Sequence, residues 1–102
     1  MKRKLVRDNI PKLEKKYSKL YDSYCAGDVE YLSELKLKLI EEVNEFFSDE
    51  SKEEMADVLE VIYSLCDYKG YSFNEIEEIR KAKRKLKGAF KDRIISVEKS
   101  ID

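Results

Sequence analysis

Residues 32–66 read LSELKLKLIEEVNEFFSDESKEEMADVLEVIYSLC, and this stretch decides the fold. Leu32, Leu35, Leu39, Val43 and Phe46 recur at intervals of 3, 4, 4 and 3, which lays one continuous apolar face along a helix. Gly27-Asp28 breaks and recaps the chain before it, so the spacing predicts a helix from about Val29 to Phe47. SDESK at 48–52 interrupts the pattern. Met55, Val58, Leu59, Ile62, Leu65 and Cys66 then draw a second stripe that Gly70 can end. Two long helices joined by so short a break form an antiparallel hairpin.

Outward from the hairpin, the chain offers little but helix. Gly is 3 and Pro is 1 in 102 residues, too few turn-formers for a sandwich or barrel. Pro11 suits the first turn of a helix capped by Asp8 or Asn9, with Leu13, Tyr17, Leu20, Tyr21 and Tyr24 at helical spacing. Ser72 with Glu75 reads as a capping box opening a helix from Phe73 to about Leu86, which Gly88 can terminate. The piece FKDRIISV at 90–97 fits either a short extended arm or more helix. The expected fold is therefore all-α: a hairpin within a four-helix, bundle-type single domain over 1–102. A helical chain of this length often completes its burial by pairing with a copy of itself.

Composition also removes whole classes of chemistry. His is 0, which excludes Ser-His-Asp and Cys-His catalysis and histidine-based zinc sites. Cys25 and Cys66 form no CxxC; two free thiols in a reducing compartment is the preferred reading, one disulfide the alternative. No apolar run approaches the ~18 residues of a membrane span, and no apolar stretch follows the basic start MKRKLVRD. A cytoplasmic protein with no membrane partner is expected.

The net charge of -1 hides two opposed blocks. Residues 41–60 hold nine acidic side chains against Lys52 alone, and residues 80–93 hold eight basic ones against Asp92 alone. Two solvated helix faces would account for that much. Orientation adds to it. At about 100° per residue, Lys38, Glu42 and Glu45 form a strip flanking the apolar face of the first long helix. Glu54 and Asp57 flank the stripe of the second. A hairpin that turns near Asp49-Glu50 sets level those residues whose numbers add to 99, so Glu45 faces Glu54 and Glu42 faces Asp57. Four carboxylates then lie on two levels, between axes roughly 8–10 Å apart. Hard oxygen donors so placed suit Mg2+; without a cation they would repel and some would take up protons. Ser51-x-x-Glu54 as a capping box and Lys38–Glu42 as an i, i+4 pair are the structural alternatives. Downstream, Ile76, Ile79, Leu86 and Phe90 make a seam whose missing member is Lys83, which must snorkel or meet an anion. Arg80, Arg84 and Lys87 stand around it.

The ordered blocks KLVRDNIP (4–11), KLIEEVNE (38–45), EEMADVLEVI (53–62) and IRKAKRKLKGAF (79–90), with the following RII, resemble the MazG-like all-α nucleotide pyrophosphohydrolases. Within that superfamily the chain is most similar to small stand-alone phosphoribosyl-ATP pyrophosphohydrolase-like, house-cleaning proteins. The resemblance spans nearly the whole chain, and its core is the signature Glu42-x-x-Glu45 with Glu54-x-x-Asp57. It implies a Mg2+-dependent enzyme, with Mn2+ as the alternative ion, that cuts a nucleoside triphosphate between the α and β phosphates. By carry-over, Glu42, Glu45, Glu54 and Asp57 hold the metal, Glu41 and Glu45 are the candidate catalytic carboxylates, and Lys38, Lys83, Lys87, Arg7 and Asp8 contact substrate. Glu41, however, points about 160° from the centre of the apolar face. The resemblance also implies a homodimer or tetramer. Two departures stand out: Asn9 where relatives often carry Lys, and Lys87-Gly88-Ala89-Phe90 where they often read RGGF. Two other functions compete: a helical module that binds nucleic acid through 80–93, disfavoured by sparse aromatics there, and a non-catalytic nucleotide sensor. The tyrosines 17, 21 and 24 are read as core or a dimer seam rather than a base-stacking platform.

Overall fold

A computed structural model describes residues 3–14 and 16–101. Among the described residues there are five helices and no strand: α1 (Ile10–Leu13), α2 (Tyr17–Leu20), α3 (Asp28–Asp49), α4 (Lys52–Lys69) and α5 (Phe73–Lys87). The chain divides into two compact units, Met1–Gly70 and Tyr71–Asp102.

The first unit is built on the α3–α4 hairpin. Gly27 caps α3 through its backbone, its carbonyl accepting from the Tyr31 amide at 2.8 Å. At the far end Glu50 adopts a left-handed conformation (φ 54°) that turns the chain after one residue, and Ser51 restarts it. Ser51 is the N-cap of α4, its hydroxyl accepting from the Glu54 amide at 3.2 Å, and Gly70 closes α4 in the left-handed region (φ 74°). With so short a turn the helices run antiparallel. The expected register is visible at the open end, where the rings of Tyr31 and Tyr68 meet edge to face at 5.6 Å. The Tyr68 hydroxyl there donates to the Asp28 carbonyl. Leu35, Val61 and Cys66 are the buried apolar residues, and the rest of each predicted stripe is half-buried or, for Met55 and Leu59, exposed. Cys25 and Cys66 are free thiols.

The single helix expected from Pro11 to somewhere between Leu20 and Tyr24 is corrected: it is two four-residue helices, and Tyr21 is already extended (φ -136°, ψ 139°). Helical spacing alone does not make a helix when its stripe finds nothing to bury against, and helices this short are marginal without packing. Leu13, Leu20, Tyr21 and Tyr24 are all exposed, so the core reading of the tyrosine stripe fails for Tyr21 and Tyr24. Tyr17 and Tyr21 instead stack on each other at 4.9 Å, and the Tyr24 hydroxyl donates to Glu30.

In the second unit α5 begins at Ser72 and stops at Gly88, as its spacing predicts. The expected capping box is absent, because the Ser72 side chain makes no capping bond and only its carbonyl serves the helix, accepting from the Ile76 amide. Residues 90–92 form a turn, and 93–101 carry no regular structure, which excludes a continuing helix there. Ile79, Leu86 and Phe90 are exposed, as is Lys83 in their seam.

Candidate metal centre

The α3–α4 register brings Glu42, Glu54 and Asp57 together, with one carboxylate oxygen of each lying within 4.8 Å of the others. Glu42 is 7% exposed, an unusual depth for an acid, and its Oε2 atom is buried with no hydrogen-bond partner among the described residues. Glu54 Oε2 is likewise buried and unpartnered. A buried, unsatisfied carboxylate oxygen costs free energy unless a cation or donor meets it. Burial of its carboxyl, together with the negative charges of Glu45, Asp57, Glu42 and Asp49, pushes the Glu54 pKa above the ordinary range.

Cationic side chains meet one oxygen of Glu42 and one of Asp57. Lys38, largely buried, places its Nζ 3.2 Å from Glu42 Oε1 and 3.6 Å from Glu41. Arg7, on the extended arm before α1, donates from Nη2 to Asp57 Oδ1 at 2.7 Å and lies 3.8 Å from Glu60. Lys4 on the same arm pairs with Glu41 at 2.9 Å, and Arg3 with Glu30 at 3.0 Å. Burial alone would raise the Glu41 pKa, but the Lys4 hydrogen bond and the Lys38 charge outweigh it and hold this carboxyl below its ordinary value. Glu41 also raises the Lys4 pKa through their hydrogen bond.

The other residues expected at the site divide clearly. Glu45 is exposed and outside the group of three, although its charge reaches Glu54. Asp8 lines a cleft with Arg7, Lys38, Glu42 and Asp57. Lys83 and Lys87 lie on α5, in the second unit, where both are exposed. Spacing did not single out Lys4. The signal was the basic start MKRKLVRD, which carries cations on an arm that crosses the acidic hairpin. Comparison of the chain with protein families, curated proteins and solved structures finds no match.

Proposed function

We propose that the chain is a Mg2+-dependent nucleoside triphosphate pyrophosphohydrolase of MazG-like type, releasing a nucleoside monophosphate and pyrophosphate. The observation that carries this reading is that Glu42, whose Oε2 is buried and without a hydrogen-bond partner among the described residues, brings a carboxylate oxygen within 4.8 Å of oxygens from Glu54 and Asp57. Three hard donors fit Mg2+ or Mn2+, which readily take carboxylate oxygens and keep further positions for water and phosphate. Bound there, the ion neutralises phosphate charge and lowers the pKa of a bound water.

The protein's own residues supply the rest. Glu42, Glu54 and Asp57 hold the ion, and Glu45, three residues beyond Glu42 on α3, is the fourth carboxylate of the set. Lys38 and Arg7 lie against Glu42 and Asp57 and can turn to donate charged hydrogen bonds to phosphate oxygens. Glu41 or Glu45 takes the proton of the attacking water as its oxygen bonds to phosphorus and the bridging P–O bond breaks. Asp8, which lines the cleft beside Arg7 and Lys38, completes the proposed substrate contacts of the first unit.

A panel of nucleoside triphosphates with Mg2+, read by pyrophosphate release, tests the assignment. Glu42→Gln and Asp57→Asn should each abolish release while circular dichroism keeps its helical signal. Persistent activity in both variants overturns it. RNA affinity with a steep salt dependence and no hydrolysis would favour a nucleic-acid module built on 80–93.

The same reading includes a homo-oligomer. Ile40 (59% exposed) and Phe47 (68%) lie seven residues apart on one side of α3, and Leu59, level with Ile40, is exposed on α4. Exposed apolar side chains on one side of a helix favour association. Sedimentation equilibrium should give a dimer or tetramer at micromolar concentration, and a monomer removes the oligomer from the proposal.

A further inference from the structure

We propose that the cleft between the N-terminal arm and the hairpin seats the nucleoside of the triphosphate, with Asn9 reading the edge of its base. This rests on the reading of Glu42, Glu54 and Asp57 as the cation site that gathers the phosphates. The cleft has a volume of about 480 Å3, within the range of small-molecule sites. Glu42 and Asp57 form part of its wall beside Lys38 and Arg7, so a phosphate chain gathered at the carboxylates leads directly into it.

The rest of the wall has different chemistry. Leu13, Tyr31, Leu35 and Val61 give it an apolar side that suits a flat ring, beside the polar Asp8, Asn9, Glu60 and Ser64. Tyr31 is held against Tyr68 by an edge contact, which lowers the cost of ordering its ring around a ligand. Leu13 is 74% exposed and contributes little packing to the free chain; a bound ring would cover it. Asn9 stands where α1 begins but makes no side-chain capping bond. Its amide can therefore present a donor and an acceptor together, the pairing that recognises adjacent donor and acceptor atoms on a base edge.

Isothermal titration in Mg2+ tests this, using the α,β-methylene analogues of ATP, GTP, CTP and UTP and, as a probe without a nucleoside, inorganic tripolyphosphate. At least one nucleotide analogue should bind about tenfold more tightly than tripolyphosphate. Leu13→Ser and Asn9→Ala, both at exposed positions, should remove most of that advantage and leave tripolyphosphate binding unchanged. Equal affinity for tripolyphosphate and every nucleotide analogue overturns the inference, as does an advantage that survives both substitutions. Failure of the cation reading has its own signature: tripolyphosphate binding indifferent to Mg2+ and to Glu42→Gln, which overturns both.

Discussion

Glu41 and Glu54 lie on facing helices of one hairpin, yet their surroundings drive their protonation in opposite directions. Glu41 has Lys4 and Lys38 beside it; Glu54 has buried surface and four carboxylates. For Glu54 the raised pKa means that the folded state holds the proton more tightly than the unfolded chain does. Its contribution to stability is therefore present below the ordinary carboxylate pKa and lost as pH rises through the raised value. Glu54→Gln should raise the thermal midpoint at pH 7 without divalent ions, and the gain should shrink as the pH is lowered through the raised pKa. A gain independent of pH would show that repulsion at Glu54 is not its source. Glu41 behaves oppositely: the stability it adds is present above its ordinary pKa and lost as pH falls through the lowered one.

The hairpin was legible in the sequence because its signals are local. Leu32 to Phe46 and Met55 to Cys66 carry the helical period, and Gly27, Ser51 and Gly70 mark ends that the structure reproduces. The turn's length set the register, and the register gave Glu42 opposite Asp57. Less legible was α1–α2, where the spacing of Leu13, Leu20 and Tyr24 resembles that of α3 but those side chains stay mostly exposed. The turn itself can be tested by two substitutions of opposite sign. Ser51→Ala removes the capping bond to Glu54 and should cost about 1 kcal/mol in chemical denaturation. Glu50→Gly relieves a side chain held at positive φ and should stabilise by up to about 1 kcal/mol. If both changes were neutral, the cap and the strained residue would not be what fixes the turn.

Across the whole molecule, near-zero net charge is divided unequally. Residues 1–70 carry sixteen acidic and twelve basic side chains, while 71–102 carry six and nine. The composition revealed the opposed blocks, and orientation around the helices indicated which acids converge. Spacing could not reveal Arg7 against Asp57, fifty positions away, because such a contact depends on where an arm without periodic pattern is laid. That arm is fastened by Arg3–Glu30, Lys4–Glu41 and Arg7–Asp57, each with an exposed cationic partner. Exposed ion pairs weaken as the Debye length contracts from about 10 Å at 0.1 M salt to about 3 Å at 1 M. Ionic strength should thus act as a dial on the arm: trypsin should cut after Arg3, Lys4 and Arg7 faster in 1 M than in 0.1 M NaCl, relative to a control peptide. Equal relative rates would mean that apolar contacts of Leu5 and Val6, rather than charge, hold it down. A relative rate that rises with salt places the salt tolerance of this chain in the arm that Arg3, Lys4 and Arg7 hold, while the hairpin beneath it stays folded.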